Sequence, residues 1–368
     1  MKRAFISVIN DLATDQRVAR VAKLLAAQGF EVTCIGRRLK QSPDLSFSSF
    51  GIRRYRMLFT RGPFFYACFN LRLLLSLLFS QRPALLIAND LDTLPANFFA
   101  SRIRRIPLIY DSHELFTQVP ELIHRKRVQR FWKGIESWLV PKLRYALTVN
   151  YSIATIYRRL YGTPFRVVRN VPEKLDHPPR TLGEEERQVI IYQGALNVGR
   201  GLELMIDVME YLEDVLFVVV GTGDIEQALK ARVEQKQLGD RIEFTGRMLP
   251  EELMPITCQA DLGISLEEDL GLSYRYSLPN KLFDYIQCQV PVLCSALPEM
   301  SRIVETYGIG IATGEKNTEK LASIIRYMLK ERSGGAWREA LLKAASELCW
   351  EKESKIYLEL LKDCRVLG

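Results

Sequence analysis

The stretch Gln188-Val189-Ile190-Ile191-Tyr192-Gln193-Gly194-Ala195-Leu196-Asn197-Val198-Gly199-Arg200-Gly201 decides how the rest of the chain is read. Its first half, Gln188–Gly194, is a short run rich in β-branched residues with no apolar–polar alternation, the pattern of a strand buried on both faces. A glycine-rich loop follows, and a helical stretch opens after Gly201. Strand, glycine loop and helix make half of a βαβ unit, and the same alternation recurs in both directions. Toward the C-terminus, strands are expected at Leu216–Gly221, Arg241–Gly246, Leu262–Glu267, Val290–Ser295 and Gly308–Thr313. Toward the N-terminus they are expected at Ala4–Asn10, Glu31–Arg37, Gly51–Met57, Ala84–Asn89, Pro107–Ser112, Tyr145–Asn150 and Pro164–Val168. Amphipathic helices separate them, as at Asp15–Gln28, where Val18, Val21, Ala22 and Leu25 share one side. This alternation implies an α/β protein with two parallel sheets, seven strands and then six, covered by helices on both faces.

The length agrees, since 368 residues at roughly 150 per domain make about two domains. The boundary is expected at Arg169-Asn170-Val171-Pro172 and the polar stretch reaching Glu186, giving domains 1–169 and 170–345. A single last helix, from about Trp337 to Cys364, is longer than its domain needs, and residues 346–368 are expected to return to the first domain. Seven cysteines without a C-x-x-C pair, and His113, His124 and His177 far apart, argue against zinc and against a disulfide framework. A reducing, cytoplasmic setting follows. Met1-Lys2-Arg3 runs into only a short apolar segment, which reads as a first strand and not as a signal peptide.

The charge is divided unevenly. Residues 1–169 hold 28 Lys and Arg against 10 Asp and Glu, a balance of +18, while the remainder holds 23 against 33, a balance of −10. The first domain should therefore face something anionic. A nucleic acid is set aside, because no recognition motif or aromatic–basic platform accompanies the charge. The stretch Phe64–Phe79 is dominated by Phe and Leu but spans 16 residues and contains Asn70 and Arg72, too short and polar to cross a bilayer. Two readings stay open: a helix buried against the first sheet, or one whose outer face dips into a lipid interface beside Arg53, Arg54, Arg56 and Arg61.

In open parallel sheets, ligands bind beyond the carboxyl ends of the strands. The loop from Gly194 to Gly201 offers close backbone approach, and Arg200 can take phosphate oxygens in a bidentate grip. Gly221-Thr222-Gly223 ends a second strand, without the third glycine of a dinucleotide fingerprint. Phe244-Thr245-Gly246 closes a third, where a plain turn or a contact to a nucleobase edge would both fit. Most informative is Ser277-Leu278-Pro279-Asn280-Lys281-Leu282-Phe283-Asp284-Tyr285-Ile286. Pro279 suits a first helical turn, which places Asn280 and Lys281 at a helix N-terminus with Asp284 on the same face. Cation and amides for a diphosphate, with a carboxylate one turn on for a ribose diol, form a coherent nucleotide site; a simple Lys281–Asp284 surface pair is the plainer alternative.

These segments together resemble glycosyltransferase family 4, the retaining, nucleotide-sugar-dependent enzymes of GT-B fold. The resemblance extends over nearly the whole chain, through Asp15-Gln16-Arg17-Val18, Tyr110-Asp111-Ser112-His113-Glu114-Leu115-Phe116 and Arg169-Asn170-Val171-Pro172. It continues through the loops at Gly194–Gly201, Gly221–Gly223 and Phe244–Gly246 and through Pro279–Tyr285. It implies two Rossmann-like domains facing a central cleft, with the donor nucleotide mostly on the second. Arg200 stands where the family has its diphosphate-binding lysine, and Asp284 matches the last glutamate of the family's Glu-x7-Glu element. Two positions depart: Tyr276 replaces the first of those glutamates, and Ala195 stands where many members have a second phosphate-binding arginine.

The resemblance implies a retaining glycosyltransfer, with domain closure excluding water, an acceptor hydroxyl, and a lipid-linked or free saccharide acceptor in polysaccharide or glycolipid synthesis. His113, Arg200 and Lys281 are the catalytic candidates. Gly194, Gly221, Gly223, Thr245, Gly246, Asn280, Lys281 and Asp284 join Arg200 around the donor, and Asp15, Arg17 and Asp90 stand on the acceptor side. Asn89-Asp90-Leu91-Asp92 ends a strand facing the cleft, with Asp90 placed to orient an acceptor and Asp92 read as starting the next helix as its cap. With Arg200 and Lys281 to meet the diphosphate, and no Asp-x-Asp motif in the second half, neither metal nor other cofactor is expected. The basic domain would sit on an anionic membrane from its cytoplasmic side. Two alternatives are a sugar-nucleotide epimerase, which needs acid and base groups flanking the sugar, and a weakly active binding subunit.

Overall fold

The computed structural model describes residues 2–13, 15–39, 42, 50–175 and 187–367. His177 and most of the expected linker to Glu186 lie outside the described residues. The chain divides into two compact units, Met1–Asn170 with Ser354–Gly368, and Val171–Glu353.

The first unit begins with β1 (Lys2–Asp11), α1 (Gln16–Ala27), β2 (Phe30–Arg37), β3 (Gly51–Tyr55) and α2 (Pro63–Phe79). It continues with β4 (Leu85–Asn89), α3 (Leu94–Arg104), β5 (Leu108–Ser112), α4 (Pro120–Ile123) and α5 (Lys126–Leu139). β6 (Tyr145–Thr148), α6 (Tyr151–Tyr161) and the short β7 (Arg166–Val167) complete it. The seven strands lie in the order β3-β2-β1-β4-β5-β6-β7, every pairing parallel. All carboxyl ends therefore gather at one edge. All five residues of β4 and of β5 are buried, which is why these segments carry no alternation.

The second unit starts with β8 (Gln188–Gln193), α7 (Leu202–Val208), β9 (Val215–Val220), α8 (Glu226–Gln235), β10 (Ile242–Gly246) and α9 (Pro250–Cys258). β11 (Leu262–Ser265), α10 (Leu272–Arg275), α11 (Asn280–Gln287), β12 (Val292–Ser295), α12 (Pro298–Tyr307) and β13 (Gly310–Thr313) follow. Its six parallel strands run β10-β9-β8-β11-β12-β13. Successive residues of one strand feed opposite cores: Ile190, Tyr192, Phe217 and Val219 pack on one face, and Ile191, Val218 and Val220 on the other. α13 (Thr318–Ser333), α14 (Arg338–Glu347) and α15 (Trp350–Asp363) close the chain.

Three expectations change. The single last helix is two, because Leu348 leaves helical geometry and is buried with Cys349, and Trp350 restarts the chain with its N–H on the Pro172 carbonyl (2.8 Å). The end of α15 belongs to the first unit: the Tyr145 hydroxyl donates to the Asp363 carbonyl (2.8 Å), and Lys2 Nζ to that of Val366 (2.8 Å). The expected lack of disulfides is corrected by a Cys258–Cys288 bridge. No sequence spacing signals it, since the residues are 30 apart; the fold lays the ends of α9 and α11 together, with Cα atoms 4.5 Å apart.

The third concerns α2, which is buried along one side only. Phe65, Phe69, Leu73 and Leu77, spaced four apart, are buried, while Phe64, Leu71, Leu75 and Phe79 are exposed on the other side. Among the described residues no helix is long and apolar enough to cross a membrane.

Candidate functional site

In the second unit, the loops after β8 and β9 stack on each other. A Cβ at Gly221 would stand 1.9 Å from the Gly194 carbonyl oxygen, and one at Gly223 would stand 2.3 Å from that of Leu196. These glycines are thus required for one loop to lie on the other. The Gly221 N–H then reaches the Gly246 carbonyl at 2.8 Å, tying the end of β10, with Thr245, to the same edge.

Against these loops stands the start of α11. Pro279 is its N-cap residue, one position earlier than expected, so Asn280 and Lys281 form its first turn. Lys281 does not pair with Asp284. Its Nζ lies 2.7 Å from Glu267 Oε1 and 3.9 Å from the centre of the Tyr192 ring, and is almost wholly buried. Arg200 approaches the same carboxylate oxygen at 3.7 Å and lies 5.0 Å from the Tyr274 ring centre. Two cations thus converge on one carboxylate at the carboxyl edge. Glu267 is held in turn by the Ser265 hydroxyl (2.7 Å). Asp284 instead accepts from Gln193 Nε2 at 2.8 Å, and Gln193 accepts from the Thr257 hydroxyl at 2.7 Å.

Burial pushes the Lys281 ammonium down to about 8, with Glu267 resisting and Arg200 adding to the fall. Burial disfavours the Glu267 carboxylate as well, but Lys281, Ser265 and Arg200 outweigh it and hold its pKa below the usual range. Glu267 was not among the sequence candidates. The available signal was an acid closing the expected strand Leu262–Glu267, where a charge is tolerated only with partners. Tyr276 caps the end of α10, and the Ala195 carbonyl accepts from the Tyr192 hydroxyl at 2.8 Å.

The first unit assembles a second charged group at its own carboxyl edge. His113 follows β5, and Asp90, with φ of +59°, follows β4. The His113 N–H donates to Asp90 Oδ1 at 2.8 Å, its Nδ1 lies 3.4 Å from Asp90 Oδ2, and its Nε2 lies 3.8 Å from Asp111. Burial opposes the imidazolium, yet Asp90 and Asp111 prevail and raise the pKa to about 9. His113 is therefore charged at neutral pH.

Two acceptor-side candidates have partners within the first unit. Arg17, 2% exposed, is consumed internally by a bidentate pair with Asp111 (2.8 and 3.0 Å) and by the Val168 carbonyl (2.8 Å). It positions Asp111 behind His113 and is not open to an acceptor. Asp15 caps α1, accepting from the Val18 N–H at 3.0 Å. Asp92 is not a cap, since Thr93 holds that place at α3. Burial, reinforced by Asp90 and Glu114, pushes its carboxyl well up.

Residues 15–172 match the family described as Glycosyltransferase Family 4, and residues 174–347 match that described as Glycosyl transferases group 1. The chain belongs to glycosyltransferase family 4. A similar protein, the chitobiosyldiphosphodolichol beta-mannosyltransferase of Candida albicans, is 22% identical over 233 residues, 60% of this chain and 48% of that protein. The glycosyltransferase thus spans about half the length of that relative. Among solved structures, sucrose-phosphate synthase from Thermosynechococcus elongatus matches with a TM-score of 0.80 at 16% identity over 100% of both chains. Anabaena HepE, solved with UDP and glucose, matches with a TM-score of 0.73 at 16% identity over 98% of this chain and 99% of that one. The fold of this glycosyltransferase is GT-B.

Proposed function

We propose that this glycosyltransferase moves a sugar, with retention at the anomeric carbon, from a nucleoside-diphosphate sugar to a hydroxyl of a lipid-linked saccharide. The observation that carries the reading is the meeting of Arg200 and Lys281 at the carboxyl edge of the second sheet, with Asp284 one turn along α11. The leaving diphosphate gains negative charge as the glycosidic bond breaks, and preorganised cations are the main means of stabilising it. Glu267 keeps both cations in place at the cost of part of their charge. A diphosphate arriving between Arg200 and Lys281 would meet two cations there, which take the place of a divalent ion in this proposal. Asp284, already accepting a hydrogen bond, is suited to a ribose hydroxyl. His113, charged and fixed by Asp90, would donate a hydrogen bond to the sugar or acceptor. A front-face route, with the departing phosphate accepting the acceptor's proton, uses these groups without a covalent nucleophile.

The acceptor's membrane location is supported by the outer layer of the first unit. α2 packs on α3, and α3 on α5. Besides the exposed stripe of α2, Phe99 and Ile103 of α3 and Phe131 and Trp138 of α5 are exposed, among Arg61, Arg72, Arg102 and Lys142. Aromatic groups beside cations suit an anionic lipid interface, where each basic residue contributes about 1 kcal/mol. The Candida relative, named for a diphosphodolichol-linked substrate, supports such an acceptor, and cell-surface polysaccharide or glycolipid assembly on the cytoplasmic membrane face is the proposed setting.

A thermal-shift panel of UDP, GDP, ADP, CMP and dTDP, with and without EDTA, tests the donor site, starting from UDP because a fold relative binds it. At about 100 times its dissociation constant a ligand stabilises by about 2.7 kcal/mol. A shift for one nucleotide, insensitive to EDTA and lost in Asp284→Ala, is expected. A silent panel would leave a weakly active binding subunit as the better account. Flotation with anionic vesicles at low salt tests the membrane reading, which fails if the protein stays at the bottom.

A further inference from the structure

A cavity of ≈ 550 Å³ opens at the carboxyl ends of β2 and β3, two strands and more away from the Asp90–His113 pair along the sheet. Arg37, the last residue of β2, Arg38, and Arg56 after β3 line it together with Met57, Phe59 and Phe65, and among the described residues no carboxylate is in its wall. None of the three arginines has an ion pair among the described residues, whereas neighbouring Arg54 lies 3.5 Å from Asp11. Arg37 is held over the Phe65 ring at 5.5 Å, with its Nε buried and making no hydrogen bond among the described residues. Three guanidinium groups that make no ion pair among the described residues, Arg37 having only a longer-range attraction to the buried Asp92, are costly to hold close together and are the preferred partners of phosphate oxygens.

The rest of the wall is apolar, and the apolar surface continues outward. Leu58 is 98% exposed and Phe64 is 70% exposed at the rim, and the Phe59 and Phe64 rings lie 5.7 Å apart. From Phe64 the exposed stripe of α2 runs on through Leu71, Leu75 and Phe79. A free inorganic anion would have no use for this wall, and a neutral lipid none for the arginines. We propose that the cavity binds the phosphate of a phosphorylated lipid, with Arg37, Arg38 and Arg56 on its oxygens, Met57, Phe59 and Phe65 on the first carbons of the chain, and the remainder lying along α2. The site would anchor the acceptor by its lipid phosphate. Only that last role rests on the glycosyl-transfer reading; the binding itself does not.

The test is calorimetric titration of the full chain with farnesyl phosphate below its micelle concentration, against farnesol and inorganic phosphate. Farnesyl phosphate should bind about tenfold or more tightly than either fragment, because each supplies only half of the contacts. Arg37→Gln/Arg56→Gln should weaken it by about tenfold or more, and Phe59→Ala should weaken it while leaving inorganic phosphate unchanged. Arg56 is exposed, so Arg56→Gln alone keeps the fold and should still weaken binding. Absence of farnesyl phosphate binding, equal binding in the arginine variants, or inorganic phosphate binding as tightly as the lipid would each overturn the proposal. The nucleotide thermal shift, measured on the same samples, separates the two claims. Its loss in the wild type with farnesyl phosphate still bound removes the transferase reading and leaves the pocket.

Discussion

Glu267→Gln isolates what the shared carboxylate does. The substitution keeps the shape and the possibility of a hydrogen bond with Ser265 but removes the negative charge 2.7 Å from Lys281. Even screened as in bulk water, unit charges at that separation attract by about 1.5 kcal/mol, or about one pKa unit. Lys281 titrates at about 8, so in the variant its midpoint should fall to about 7 or lower, since burial and Arg200 then push without opposition. At the proposed donor site a diphosphate would bind the charged ammonium. Wild-type affinity should therefore hold below pH 8 and fall by about tenfold by pH 9, following the charged fraction. In Glu267→Gln the same fall should begin at least about one pH unit lower. The assay is isothermal titration from pH 6.5 to 9 with whichever nucleoside diphosphate gives the largest thermal shift; its terminal phosphate, which titrates near ~6, is common to both proteins. Identical midpoints in the two proteins would show that Glu267 does not set the charge of the proposed diphosphate site.

The His113 imidazole should titrate at about 9 by proton NMR. Because this lies above its ordinary value, His113 contributes roughly 3 kcal/mol of stability that is complete below about pH 6.5 and is lost as the pH rises through 9. A midpoint near the ordinary value would show that Asp90 and Asp111 do not hold the ring. Arg17→Met leaves Asp111 buried without its partner and should cost about 3–5 kcal/mol in urea unfolding, with much of the loss recovered when Asp111→Asn is added. A loss under about 1 kcal/mol would mean that the pair is not desolvated. Reducing Cys258–Cys288 releases a crosslink over 30 residues and should lower stability by up to about 3.6 kcal/mol, with Cys258→Ala insensitive to reductant. Equal sensitivity in wild type and variant would remove the bridge from the account.

Consecutive residues were enough to reveal the layered α/β architecture. Burial on both faces of a parallel sheet removes polar alternation within a strand, as in Val189-Ile190-Ile191-Tyr192 and in Leu85–Asn89, and that is a local signal. The glycines that let the loops after β8 and β9 stack were legible for the same reason, as was the single face shared by Lys281 and Asp284 on one helix. Helical spacing permits a contact without choosing it. Lys281 paired with Glu267, 14 residues earlier, because the sheet order β8-β11-β12 sets the end of β11 beside the start of α11. Once there, a desolvated cation takes the buried carboxylate in preference to one facing Gln193. Arg17 met Asp111 across 94 residues in the same way, and the ends of α9 and α11 brought Cys258 to Cys288. Local periodicity is written in neighbouring residues, whereas buried charge must find its partner wherever the crossovers deliver one, so the architecture was set by sequence pattern and the wiring of the site by tertiary structure.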